Sequence, residues 1–370
     1  MIKNTQIRFS GKDKTNFTAT LNRRVHQYFA ENKISRYANT EMVIKTIVLL
    51  STYLLPFAFL VLYQPGTALS IGIWTIMGLS LAGIGMNIMH DANHGSYSKN
   101  QKINSLLGHT LNICGGSVLN WKMQHNVLHH TFTNVVHVDD DIDDKLVFRF
   151  SPHTPVKWFH KLQPFYAILF YGIITLYWVT LKDFIQFFRY VRTGVINDTK
   201  TNNLISLAKI MLLKISYWFF FFIMPIVLFK IPFLNILGGF LLMHFVAGVV
   251  LTVIFQLAHT VEGTSYPIPN EEGNIENHWA IHQLNTTVNF SRNSKIISWF
   301  VGGLNYQVEH HLFPNICHVH YPKISPIVKQ TAEEFGIPYL ENNSFTDAIL
   351  SHIRALRKFG KIPDINEAVG

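Results

Sequence analysis

Four apolar runs, each long enough to cross a bilayer, constrain this chain more than any other feature. They cover roughly residues 44–63, 69–89, 211–229 and 232–257. A helix rises about 1.5 Å per residue, so about 20 such residues span the hydrocarbon core. Only Gln64-Pro65-Gly66-Thr67-Ala68 joins the first pair, and Lys230-Ile231-Pro232 turns the second. The expected fold is all-α and integral to the membrane: four transmembrane helices arranged as two tight hairpins.

Charge gives the orientation. Only 14% of the 370 residues are charged, while 48% are hydrophobic, which is outside the usual range of a soluble domain. The net charge of +9 sits on segments flanking the apolar runs, as the positive-inside rule places it, and not on a module that would grip nucleic acid. The hairpin turns are nearly uncharged, so both hairpins are expected to enter and leave from the cytoplasmic side. Residues 1–43 read as a cytoplasmic N-terminal segment, amphipathic over 25–37, with no apolar core of a cleaved signal peptide. Residues 44–370 read as one membrane domain. Two further apolar stretches, 103–119 and 162–181, are expected to lie in the interface. A fifth crossing at 162–181 would put the last histidine cluster on the wrong face. Lys214 is expected to snorkel from near a helix end, and Trp218 with Phe219–Phe222 to face lipid. Cys114 and Cys317 form neither a disulfide framework nor a metal pair.

The remaining signal is histidine in three clusters: His90-Asp91-Ala92-Asn93-His94, His125-Asn126-Val127-Leu128-His129-His130 and Gln307-Val308-Glu309-His310-His311. Residues four apart on a helix share a face, so His90 pairs with His94 and His125 with His129, while His130 points about a quarter-turn away. Gln307 lies three and four residues before His310 and His311 and can point at the same centre. Seven histidines and a glutamine exceed what one zinc takes, and imidazole suits iron. The carboxylate ligand pattern of bundle-type di-iron proteins is missing. The donor set therefore implies a histidine-rich di-iron cap at the cytoplasmic membrane face. His259, ending the last apolar run, is placed to add a ligand. His244, mid-helix, is expected to hydrogen-bond a neighbouring helix. The acidic run 139–144, with Asp143 in it, is either a solvated loop or a source of carboxylates that orient ligand imidazoles; Asp91 and Glu309 can do the same. His282, Asn285 and Asn289 are weaker candidates.

With these residues in view, the chain resembles the membrane fatty acid desaturases over nearly its whole length. The HDxxH, HxxxHH and QxxHH boxes match in kind and order. Gln307 opening the third box, His130-Thr131-Phe132-Thr133-Asn134 and His310-His311-Leu312-Phe313-Pro314 are similar to the front-end subgroup, of linoleoyl-CoA or delta-6 type. The resemblance implies an O₂-dependent enzyme with two iron ions, which puts a cis double bond on the carboxyl side of an existing one in an acyl-CoA or acyl-lipid. No His-Pro-Gly-Gly haem signature of a fused cytochrome b5 domain is present. A separate ferredoxin or cytochrome b5 is therefore the expected electron donor, and the bacterial inner membrane the expected location, or the endoplasmic reticulum in a eukaryote. A membrane hydroxylase using similar boxes is the competing reading.

Overall fold

The computed structural model describes residues 7–9, 11, 13, 15–142 and 147–363. Among the described residues the regular structure is helical apart from two pairs of two-residue parallel strands, Arg8–Phe9 with Asn274–Ile275 and Asn289–Phe290 with Glu341–Asn342. It divides into two compact units. One comprises residues 1–37, 122–167 and 254–370; the other, 38–121 and 168–253.

The second unit holds the hairpins. Asn39 caps its first long helix by accepting the Met42 N–H at 3.1 Å. That helix, Thr40–Tyr63, ends where Gln64 turns left-handed at φ 44°, and the chain returns as Thr67–Met86. A Cβ on Gly83 would lie 2.6 Å from a Leu49 methyl, so glycine permits the two helices their close approach. The second hairpin turns at Lys230, also left-handed, between Lys200–Val227 and Phe233–His259. The two turns meet, because the Gln64 side chain donates to the Phe229 carbonyl at 2.8 Å.

Among the described residues five helices are long and apolar enough to cross a membrane, the fifth being Trp158–Thr193. It contains the 162–181 stretch expected to be interfacial, and it winds as a π-turn over Trp178–Lys182. The Lys200 helix begins eleven residues before the expected start at 211, since residues 200–210 continue the helix in more polar composition. The 103–119 stretch is three short helices, Gln101–Gly108, Thr110–Ile113 and Val118–Trp121. Gly115, at φ 82°, breaks it in a conformation few other residues adopt cheaply.

Two expectations in this unit are corrected. Lys214 does not snorkel. It is buried, and its ammonium donates to the Gly115 and Trp178 carbonyls, each at 2.7 Å, and to the Asp183 carboxylate. Nor does the whole aromatic run face lipid. A π-turn at Phe219–Ile223 rotates it, leaving Phe219 and Phe220 exposed while Phe221 packs on Tyr53, Phe57 and Tyr217, and Trp218 on Phe240. His244 bonds neighbouring helices, meeting the Tyr217 hydroxyl at 3.0 Å and the Thr175 hydroxyl at 3.1 Å.

The first unit is built on the amphipathic helix Phe17–Glu31, whose Phe17, Leu21 and Val25 are buried with Val308, Leu312, Ile324 and Val328. That packing seats the third histidine cluster directly against the core. Arg149, fully buried, donates to the carbonyls of Thr154, Phe359 and Pro152 and so clamps the chain near its C-terminal helix, Phe345–Phe359.

Candidate metal centre

The second histidine cluster lies on a π-helix, Lys122–His129. Widening the turn makes an N–H reach five residues back instead of four, and His130 N donates to the His125 carbonyl at 3.0 Å. An α-helix would have left His130 off the face; here its ring lies 4.7 Å from that of His125, and His129 stacks on His125 at 5.4 Å. All three imidazoles therefore point into one space.

The third cluster occupies the short helix Gln307–Leu312, every residue of which is buried. Its start is fixed by Asn289, whose amide oxygen accepts the Val308 N–H at 2.9 Å. His259, the last residue of the helix Phe233–His259, arrives from a third direction.

These elements build two adjoining nitrogen clusters inside the first unit. One ring nitrogen from each of His129, His259 and His311 lies within 4.8 Å of the other two, and the same holds for His130, His310 and His311. His130 Nε2 is 3.0 Å from His310 Nε2 and 3.2 Å from His125 Nε2. Gln307 is buried with its side chain beside the His259 ring.

The backs of these rings are held by acceptors. His129 Nδ1 donates to Asp139 Oδ2 at 3.0 Å, His259 Nδ1 to the Thr286 carbonyl at 3.3 Å, and His311 Nδ1 to Gln283 Oε1 at 2.8 Å. His310 Nδ1 meets the Tyr321 hydroxyl at 3.3 Å. An acceptor at Nδ1 fixes the tautomer with its proton there and leaves the Nε2 lone pair for a cation. The Nε2 atoms of His129 and His259 are buried and meet no hydrogen-bond partner, a costly arrangement for a protein without a cation to receive them. The residues fit a nitrogen-liganded transition metal.

Asp139 is the dominant local charge. It is fully buried and also accepts the Asn134 N–H at 2.9 Å and the Asp141 N–H at 3.0 Å. Burial works against a charged His129 ring, but Asp139 and then Asp141 outweigh it and hold the imidazole above its ordinary pKa. Burial likewise opposes the Asp139 charge, and the His129 ring with the backbone donors holds that carboxyl below its ordinary value.

His90 and His94 belong to the other unit. They stand one helical turn apart with rings 4.7 Å apart, and the Trp121 ring lies 5.7 Å from each. The Asp91 carboxylate is 3.8 Å from His90 Nδ1.

The weaker candidates fall elsewhere. The Glu309 carboxylate takes the Asn289 amide at 2.8 Å and the Tyr339 hydroxyl at 2.7 Å, so Glu309 and Asn289 bind one another and not a ligand imidazole. Burial pushes the Glu309 carboxyl up despite these donors. His282 is buried edge-on to Phe9, pushed down to about 4 by burial, and joins none of the metal-capable groups among the described residues. The Asn285 carbonyl accepts the Ser265 N–H at 2.8 Å, and Asn285 joins no such group either. Asp143 lies outside the described residues. Gln283 and Thr286 carry no signal in the sequence, whereas Asp139 opens the acidic run after the second cluster, and it is the carboxylate of that run that holds the His129 ring.

Comparison with known proteins agrees with this chemistry. The family model described as "Fatty acid desaturase" matches residues 65–343. The chain is 35% identical over 348 residues to the sn-1 linoleoyl-lipid 6-desaturase of Arthrospira platensis, covering 94% of each. It is 35% identical over 365 residues to the protein of the same name from Synechocystis sp., covering 98% of this chain and 99% of that one. Against the acyl-lipid (8-3)-desaturase of Physcomitrium patens it is 34% identical over 362 residues, or 97% of this chain and 74% of that one.

Proposed function

The chain belongs to the fatty acid desaturase family, and on that premise we propose that it is a front-end desaturase of lipid-linked acyl chains. The reaction places a cis double bond between an existing one and the carboxyl end. Gln307 opening the third box supports this reading, as do the names of the Arthrospira and Synechocystis relatives, which specify a linoleoyl lipid and position 6.

The ligands we propose are His90, His94, His125, His129, His130, His259, His310 and His311, holding two irons, with Gln307 facing the iron beside His259. Bound iron and O₂ supply the oxidising power that an unactivated methylene demands. The protein's own part is positional. Asp139, the Thr286 carbonyl and Gln283 hold the Nδ1 protons, so the Nε2 atoms stay available and correctly aimed. Burial of the third cluster on the Phe17–Glu31 helix keeps water from this centre. A family member acts on fatty acyl lipids, and the acyl chain must be registered against the irons within a fraction of an ångström for two neighbouring hydrogens to leave.

For topology we propose four crossings as two hairpins, with residues 162–181 in the interface and the histidine centre on the cytoplasmic face. The meeting of the two hairpin turns at Gln64 and Phe229 supports a common direction of entry. The electron donor we propose is a separate ferredoxin or cytochrome b5, and the membrane a bacterial inner membrane.

The observation that carries the reading is the set of three buried imidazoles, His129, His259 and His311, each held at Nδ1 by an acceptor and each with one ring nitrogen within 4.8 Å of one on the other two. Loading the purified protein anaerobically with ferrous iron and washing with a weak chelator tests it. Two irons retained per chain is the expected result; none retained would overturn the centre.

A further inference from the structure

A lysine and an aspartate buried together carry a desolvation cost that well-packed apolar residues would avoid. Lys214 and Asp183 form such a pair, with side chains 7% and 0% exposed. We propose that this pair positions the first histidine box, acting through the turn that carries Trp121. The proposal rests on the reading that His90 and His94 hold iron.

The route is continuous and lies wholly in one unit. The Lys214 ammonium grips the Gly115 carbonyl, the Trp178 carbonyl in the π-turn, and the Asp183 carboxylate. Asp183 in turn holds the next residues of the same segment. Its Oδ2 accepts the Ser117 N–H at 3.0 Å, and its main-chain carbonyl accepts the Asn120 side-chain amide at 2.6 Å. Residues 115–120 are thus fastened at three points, two of them by the charged side chains and the third by the Asp183 main chain. Gly115 adds a steric constraint: it is left-handed, and a Cβ there would lie 2.6 Å from a Val179 methyl and 3.2 Å from the Tyr217 ring.

The next residue, Trp121, has nowhere to drift. It is packed with Met89 and Leu111, against Val118 and Trp178, and its ring centroid stands 5.7 Å from those of both His90 and His94. The indole forms one wall of the space in which the two imidazoles sit. Movement of the 115–121 turn changes the orientation open to both rings at once. An aliphatic pair at 183 and 214 would fill the volume without fixing the Gly115 carbonyl and the Ser117 N–H of that turn. Directional bonding explains the use of charge here, where packing alone would not.

Lys214 and Asp183 are therefore positioning residues, and the readout is iron retention, alongside kcat and KM. The protein is purified in detergent as wild type, as the double variant Lys214→Met/Asp183→Asn, and as Trp121→Leu. Each is loaded with ferrous iron and challenged with a graded chelator. The double variant removes both charges together, so no lone charge is left buried. We expect it to elute as wild type does, to hold one of two irons about tenfold less tightly, and to lose kcat with KM for the acyl substrate unchanged. Trp121→Leu, with the pair intact, is expected to reproduce that loss. If the double variant does not fold, Asp183→Glu, which keeps the charge and misplaces the carboxylate, is expected to show it. Wild-type iron retention in the double variant or in Asp183→Glu, or in Trp121→Leu, overturns the proposal. A wild-type protein that retains no iron overturns the di-iron reading itself, which keeps the two failures distinct.

Discussion

Nδ1 of His129 stands 3.0 Å from the carboxylate of Asp139, and both side chains are completely buried. The loop residue that makes this possible is Asn134, which adopts a left-handed φ of 59° and donates its side-chain amide to the His259 and Ser265 carbonyls, each at 3.2 Å. Asparagine tolerates that conformation better than most residues. The contact thus ties the second histidine cluster to the end of the last long helix.

Asp139→Asn keeps the size of the side chain and removes its charge. We expect the variant to fold and to bind iron about 10- to 100-fold less tightly, the usual consequence of losing a partner behind a ligand histidine. Chelator competition on purified protein measures this. Unchanged iron affinity would mean that Asp139 is merely structural.

His94→Ala and His310→Ala are each expected to abolish turnover while the protein still accumulates in the membrane. Immunoblotting of membranes together with product analysis checks both halves. Full activity in either variant would remove that residue from the proposed ligand set.

Glu309→Gln should separate stability from catalysis. The glutamine presents an NH₂ group where the Tyr339 hydroxyl now donates, so that hydroxyl must turn its proton to Ser325, 2.9 Å away, and the two bonds the carboxylate accepts become one accepted and one donated. A loss of about 1–3 kcal/mol is expected from that mismatch, with iron stoichiometry unchanged. A melting curve in detergent beside a metal assay tests it, and lost iron with intact stability would return Glu309 to the metal site.

His352 gives the protein an acid-sensitive step. Burial pushes its imidazole from 6.5 down to about 4, and its Nδ1 donates to the Thr260 carbonyl at 2.7 Å. The folded pKa lies below the unfolded one, so the unfolded chain takes the proton more readily. Its stabilising contribution is complete above 6.5 and is lost as pH falls from there through about 4, a change of order 3 kcal/mol. His352→Gln is expected to flatten the thermal stability profile across that window. An unchanged acid slope would exclude His352 as the group responsible.

Features encoded over a few neighbouring residues were legible before the structure. The hairpins follow from apolar runs and their short turns, and the pairing of His90 with His94 follows from a four-residue spacing on a helix. What escaped depends on winding or on distant partners. An α-helix and a π-helix have the same local composition, so nothing in 122–130 announced that His130 would join His125 on one face. Lys214 read as a snorkelling lysine because its partner, Asp183, lies 31 residues away across a polar segment. Within the acidic run, the acid that reaches His129 is chosen by the register of a loop that Asn134 bends, and sequence alone does not set that register.

The central claim is the position of the new double bond, and one measurement reaches it directly: mass-spectrometric fatty acid profiling of cells that express the chain and are fed linoleate. We expect a new lipid-linked acyl chain with one further cis double bond on the carboxyl side of those already present. A hydroxylated product, a double bond on the methyl side, or no new product from an iron-loaded enzyme supplied with a competent electron donor would contradict it.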